Sequence, residues 1–144
     1  MKKLLIILVL GFALYGFYER NPGFIQSVTG PSTASDQFLQ RAYEKRQSNL
    51  QVEGFGVVIR ILPDDLQGSR HQKFIIRLSS GQTLLIAHNI DIAPRIDDLR
   101  ESDTVEFLGE YEWNAKGGVV HWTHHDPDGQ HSRGWLKHNG FTYQ

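Results

Sequence analysis

The hydrophobic positions divide the chain into three parts. An uncharged apolar run covers Leu4–Tyr18, directly after Lys2 and Lys3. Residues 19–34 then carry Pro, Gly, Ser and Thr without hydrophobic periodicity, which is typical of a linker. In residues 35–144 the apolar positions become periodic, so this part is predicted to form the folded domain.

The beginning of the chain has the pattern of an export sequence. A positively charged start followed by a short apolar run is the order of regions in a signal peptide. The run is shorter than the roughly 20 apolar residues of a spanning helix, yet no small-x-small cleavage site follows it. Residues 1–18 are therefore expected to be a signal peptide or an N-terminal anchor in the cytoplasmic membrane. Either would place the domain in the periplasm or elsewhere outside the cytoplasm.

Within the domain, the periodicity predicts one short helix followed by strands. Phe38, Leu39, Ala42 and Tyr43 form a stripe at helical spacing, and Ser35 or Asp36 is the predicted N-cap. Strands are predicted, from alternation or from short apolar runs between turn residues, at 52–62, 73–78, 83–88, 103–113 and 119–124. A second short helix is predicted within 91–101, where Pro94 would occupy the first turn.

Three strands, a short helix and two further strands follow the order of an OB-fold. Gly54, Gly56 and Gly109 fit strongly bent barrel strands, in which a side chain would obstruct the bend. A small SH3-like barrel is the alternative, but it normally lacks the helix. The sequence therefore predicts an all-β, five-stranded OB-fold-like barrel. Its tail is rich in aromatic residues and histidine, and Trp135, Phe141 and Tyr143 are expected to lie back across the barrel.

Composition excludes several kinds of chemistry. The chain has no cysteine, so it forms no disulfide, has no disulfide-linked partner, and offers no thiolate for a zinc site or for nucleophilic catalysis. The formal net charge of −1 gives no support to a general nucleic-acid coat. No Walker loop, dinucleotide fingerprint or Gly-x-Ser-x-Gly motif is present.

Four strings are long and specific: GSRHQKFIIRL, SGQTLLIAHNIDIAPRI, GEYEWNAKGGVVHWTHHDP and GWLKHNG. Together they resemble an uncharacterised family of short bacterial proteins, a domain of unknown function with the motif GEYEWN-x-KGG-x-x-HWTHHDP. The resemblance covers roughly residues 50–144. It implies no activity, substrate or catalytic residue, so function has to be inferred from the residues themselves.

The stretch HWTHHDPDGQH, residues 121–131, contains four of the seven histidines. On a regular strand His121 and His125 would lie about 13 Å apart, too far to share one metal ion. A cluster is more plausible where Pro127 and Gly129 allow the chain to fold back. The predicted ligands, for zinc or a harder divalent metal, are His124, Asp126, His131 and His138. Alternatively, these imidazoles cap turns or stack on Trp122 and Trp135.

A second group of candidates lies on the first two strands. The predicted ligand-binding residues are Arg60, Arg70, Lys73, Arg77 and Trp122. Gly54 and Gly56 are expected on the same face, where a chain-like ligand could approach the backbone, and the bases could neutralise its phosphates or carboxylates. The alternative is a solvated face whose charges pair with nearby carboxylates.

Two classes of function follow. One is a non-catalytic module outside the cytoplasm that binds an anionic polymer or oligomer, such as an oligonucleotide, an oligosaccharide or an envelope polymer. The other is a metal-assisted or histidine-dependent hydrolase of phosphodiesters, with His121 or His71 as general base and Glu110 facing the histidines of the fifth strand.

Overall fold

A computed structural model describes residues 33–144. The predicted export segment and all but the end of the predicted linker lie outside these residues. No helix of the described part is long and apolar enough to cross a membrane.

The first element is helix α1, Ala34–Glu44. Its N-cap is Thr33, whose hydroxyl accepts a hydrogen bond from the Asp36 amide, so the predicted cap at Ser35 or Asp36 was two or three residues late. Asp36 is buried and accepts hydrogen bonds from the Ser79 hydroxyl and the Ser80 amide. Its carboxylate thus attaches the first turn of the helix to the connection between the second and third strands.

Seven strands follow the helix, and five of them close into a barrel. They are β1 Leu50–Ile61, β2 His71–Arg77, β3 Thr83–Asn89, β4 Thr104–Glu112, β5 Val119–His121, β6 Trp135–His138 and β7 Phe141–Tyr143. The barrel order is β1-β2-β3-β5-β4, and β4 pairs back onto β1. All barrel pairs are antiparallel except β3–β5, which is parallel. This is the predicted OB-fold-like barrel.

The inward face of β1 was misassigned from the sequence. Gly54 and Gly56 face the core, not the polar surface: an added Cβ would lie 2.9 Å from the Phe107 ring at Gly54 and 2.9 Å from the Arg77 carbonyl oxygen at Gly56. Val52 and Val58 share this buried face. The glycines therefore make room for the core, and they offer no backbone surface to a ligand.

The predicted helix between β3 and β4 does not form; residues 91–101 are turns and irregular chain. The buried side chain of Gln72 donates to the Ile96 carbonyl at 2.8 Å and accepts from the Ile96 amide at 2.9 Å. His88 bonds the Pro94 carbonyl at 3.0 Å. Side chains of β2 and β3 thus take the main-chain groups that a helix would have paired internally.

The C-terminal tail forms a β-hairpin on the barrel. Strand β6 pairs with β4 over Glu106–Leu108, beyond the part of β4 that pairs with β5, and β7 pairs with β6. The tail prediction is confirmed for Trp135 and Tyr143, which are partly buried, but Phe141 is 68% exposed.

Candidate functional site

Three basic side chains surround one apolar residue on the outer face of β1 and β2. A bulge between Val58 and Arg60 places Arg60 opposite Ile75, an outward-facing residue of β2. Lys73 and Arg77 lie two positions before and after Ile75, hence on the same face. Within residues 33–144 none of the three bases forms an ion pair.

Arg70, also predicted to bind a ligand, is engaged elsewhere. Its guanidinium lies 2.6 Å from the Asp91 carboxylate, which also accepts from the Arg70 amide at 2.8 Å. These hydrogen bonds lower the pKa of Asp91. Arg70 therefore holds the loop after β3 against the start of β2.

A strip of partly exposed aliphatic side chains continues from the three bases across the barrel. Ile75 pairs with Leu85 on β3, and Leu85 pairs with Val119 on β5. All three are only partly buried. The outer face of β1, β2, β3 and β5 thus has an apolar centre with basic residues on one side.

An open cavity of about 300 Å³ lies beside this strip. His71 and Lys73 line it from β2, and Val119 and His121 line it from β5. Glu112 of β4 completes its far side. The structure therefore brings the two histidines predicted as general bases to one cavity.

Two carboxylates and an imidazole lie close together at this end of β4 and β5, and two of the three side chains, Glu112 and His121, line the cavity. Alternation along β4 puts Glu110 and Glu112 on one face, and the register places Glu110 opposite His121. His121 Nε2 lies 3.5 Å from a Glu110 carboxylate oxygen and 3.8 Å from one of Glu112. This nitrogen is buried and has no hydrogen-bond partner. We call these three residues the EEH cluster.

The predicted fifth strand ends at His121, because Trp122 adopts a left-handed backbone conformation with φ 51°. Beyond it the histidine-rich segment forms a loop. The Trp122 ring stacks on His131 at a centroid distance of 3.7 Å, so the tryptophan predicted as a ligand-binding residue contacts a histidine of its own loop. His124 is buried, and its Nδ1 lies 2.8 Å from the His125 carbonyl.

Asp126 organises this loop through its carboxylate. It accepts hydrogen bonds from the amides of His131 at 2.8 Å, Gln130 at 2.6 Å and Asp128 at 3.1 Å. The amide of His131 contributes most to lowering the pKa of Asp126. Three of the roughly four acceptor positions of this carboxylate are thus occupied by amides of its own loop.

His138 lies on β6 between two other carboxylates. Its Nε2 is 2.8 Å from Asp103 and its Nδ1 is 3.6 Å from Asp98. Partial burial opposes ionisation of Asp103, but hydrogen bonds from the Arg100 amide and from His138 outweigh it and lower the pKa of Asp103.

The metal set predicted from the sequence is not brought together. In the described part of the chain, the group whose ligand atoms converge to within 4.8 Å of one another is the EEH cluster. Sequence reasoning named His121 and Glu110 for catalysis but did not select Glu112. The information was present, since alternation alone puts Glu110 and Glu112 on one strand face.

A buried polar pair behind the histidine-rich loop was also missed. His88 is fully buried; its Nε2 donates to the Pro94 carbonyl, so its Nδ1 accepts from the Thr123 hydroxyl at 2.8 Å. Burial lowers the pKa of His88 to about 4. The pair connects β3 to the residue that follows Trp122.

The strand order, the barrel and the EEH cluster identify no activity by themselves, and comparison with known proteins adds a family but no function. No curated protein matches the chain. A family model described as "Protein of unknown function (DUF3465)" matches residues 24–144. Because this match covers most of the sequence, the chain belongs to the DUF3465 family.

Proposed function

We propose that this protein is an OB-fold binding module for an anionic oligomer, with its ligand on the outer face of β1, β2 and β3. The observation that supports this most directly is the group of three unpaired bases around Ile75. Arg60, Lys73 and Arg77 present like charges on one surface, and within residues 33–144 none of them forms an ion pair. A row of phosphates or carboxylates would relieve this repulsion.

The rest of the face suits a chain-like ligand. Ile75, Leu85 and Val119 form an aliphatic strip against which the less polar parts of a sugar, base or polymer backbone could pack. In OB-folds generally, oligonucleotides and oligosaccharides bind across the second and third strands and the adjoining loops. Specificity then depends on the loops, and the bases supply affinity that falls with salt.

The hydrolase hypothesis has weaker support. Its proposed metal ligands, His124 and Asp126, bond a carbonyl and three amides of their own loop. His71 and His121 share the cavity, but His71 Nδ1 is bonded to the Ser69 carbonyl at 2.8 Å. Binding is therefore the function that we propose.

We further propose that the module acts outside the cytoplasm. Lys2, Lys3 and the apolar run Leu4–Tyr18 support export through the cytoplasmic membrane, with the segment either cleaved or retained as an anchor. A periplasmic location would make envelope polymers available as ligands.

Binding is tested by removing the three bases together. A fluorescent single-stranded oligothymidylate is titrated with the full-length protein and with the variant Arg60→Gln, Lys73→Gln, Arg77→Gln, by fluorescence anisotropy at several salt concentrations. Affinity should fall at least tenfold. The slope of log affinity against log salt should decrease by about 2, because each phosphate contact to a single strand contributes about 0.7.

A matched control removes the same charge elsewhere, at the exposed residues Lys45, Lys116 and Arg133. Competition by an acidic but not a neutral polysaccharide would identify carboxylates as an alternative source of the anionic groups. Equal weakening in the two triple variants would contradict the proposal. So would a wild-type protein that binds neither the oligonucleotide nor the acidic polysaccharide.

A further inference from the structure

We propose that the EEH cluster, Glu110, Glu112 and His121, is a site for a divalent metal ion. The three side chains come from two adjacent strands of the barrel, where backbone pairing fixes their relative positions. Their candidate ligand atoms lie within 4.8 Å of one another, the spacing of atoms around one small cation.

The environment of the His121 imidazole nitrogen Nε2 distinguishes this cluster from an ordinary acidic surface. Its Nε2 is out of contact with solvent and has no hydrogen-bond partner, although two carboxylates lie 3.5 and 3.8 Å away. A buried imidazole nitrogen without a partner is costly. A metal ion at this position would satisfy the nitrogen and neutralise both carboxylates.

The surrounding charges are consistent with a cation. In the described part of the chain, no lysine or arginine forms an ion pair with Glu110 or Glu112. Two neighbouring carboxylates on one strand face repel each other unless a positive charge lies between them. Among the described residues, the basic group in contact with both carboxylates is His121.

The ligand types favour Zn²⁺. One imidazole nitrogen and two carboxylate oxygens are all zinc ligands, and such sites bind Zn²⁺ more tightly than Mn²⁺ or Fe²⁺. Three protein ligands leave a fourth position open. That position would face the cavity lined by His71 and Lys73, where an anionic group could bind the metal directly.

This inference does not depend on the proposed function. The metal alone is the probe, and the bases around Ile75 are not ligands. If Zn²⁺ does not bind, the proposal of oligomer binding still stands. If the oligomer does not bind, the proposal of the metal site still stands.

The test is isothermal titration calorimetry of full-length protein with Zn²⁺ after treatment with chelator and its removal. We expect one Zn²⁺ per chain whose Kd rises at least tenfold in each of Glu110→Gln, Glu112→Gln and His121→Gln. These substitutions lie on the outer face, and unchanged circular dichroism without metal would establish that each variant is folded. Zn²⁺ should also raise the thermal midpoint of wild type but not of the variants, because a ligand bound only by the native state stabilises it.

Two variants serve as controls. Glu106→Gln removes an exposed carboxylate from the same face of β4, and should leave the Kd within twofold of wild type. His131→Gln removes a histidine of the loop and should do the same. Absence of Zn²⁺ binding in wild type would overturn the proposal. Equal losses in Glu106→Gln and Glu112→Gln, or a loss confined to His131→Gln, would also overturn it.

Discussion

At the scale of single residues, His88 is the clearest case of a side chain whose environment opposes its charge. It is fully buried, and its two nitrogens are occupied by the Pro94 carbonyl and the Thr123 hydroxyl. Burial disfavours the charged imidazolium by more than the hydrogen bond to the Pro94 carbonyl favours it. This agrees with a pKa lowered to about 4 by burial.

The low pKa makes the stability of the fold depend on pH. Between about pH 6.5 and 4 the unfolded chain protonates His88 and the folded chain does not, so the free energy of unfolding falls as the pH is lowered. The full contribution is about 3 kcal/mol, from about 1.4 kcal/mol for each unit of pKa difference. Chemical denaturation at pH 7, 6 and 5 should show this decline in wild type and a much smaller one in His88→Gln.

His125→Gln is the matched control for this experiment, because His125 is exposed. The free energy of unfolding of this variant should fall on acidification as much as that of wild type. If His88→Gln and wild type lost stability equally on acidification, the burial of His88 would not be the cause.

At the scale of elements, alternation predicted most strands but not every surface that they present. The buried faces of β2 and β4 followed from it, with Phe74 and Ile76 on one and Phe107 and Tyr111 on the other. Strand β1 has apolar residues on both faces, so alternation could not determine which face is buried. Only the position of the Phe107 ring, which lies far along the chain, shows why Gly54 faces inward.

The helix predicted for the segment after β3 is wrong for a related reason. Its local sequence suits a helix, but the decisive partners of its backbone are side chains from β2 and β3. Likewise, the sequence of the histidine-rich loop allowed several possible sets of metal ligands. The distances between these histidines were predicted for a regular strand, but the left-handed conformation of Trp122 ends that strand. The residues of the EEH cluster lie on one strand and its neighbour, so their proximity was easier to predict from the sequence.

We expect the side chain of Gln72 to stabilise the connection between β3 and β4, because it bonds the main chain of Ile96 there. Gln72→Leu keeps a buried side chain of similar size but leaves the buried amide and carbonyl of Ile96 without the partners that the Gln72 amide group supplies. Each unsatisfied buried group costs about 1–3 kcal/mol, so the loss of two partners should lower the free energy of unfolding by about 2–6 kcal/mol. Urea denaturation measures this change directly.

Gln40→Leu provides the comparison, since Gln40 is exposed on α1 and its side chain donates to Glu44 across one turn. It should change the stability by less than about 0.5 kcal/mol. Similar losses in the two variants would show that the Gln72–Ile96 hydrogen bonds do not hold the connection in place.

At the scale of the whole molecule, the order of the strands was enough to predict barrel closure, although the helix predicted between the third and fourth strands does not form. Three strands in sequence can pair as neighbours, and the next two must then fill the gap between β3 and β1. The parallel β3–β5 pair and the long β1–β4 pair do this. The additional hairpin β6–β7 could not be predicted in the same way, because its strands are short and lie where β4 has an edge left free by β5.

The location of the molecule is the remaining prediction, and the exposed C-terminus makes it testable. Gln144 is exposed, so a reporter can be attached there without replacing core contacts. Alkaline phosphatase, which needs its disulfides and is active only outside the cytoplasm, should be active when fused to the full chain in a Gram-negative host. Deleting residues 4–18 should abolish this activity, because it removes the apolar run that supports export. A green fluorescent protein fusion, folded in the cytoplasm, should give the opposite result for both chains. An inactive phosphatase together with bright fluorescence from the full chain would contradict export, and would leave cytoplasmic nucleic acid as the anionic oligomer available to the face around Ile75.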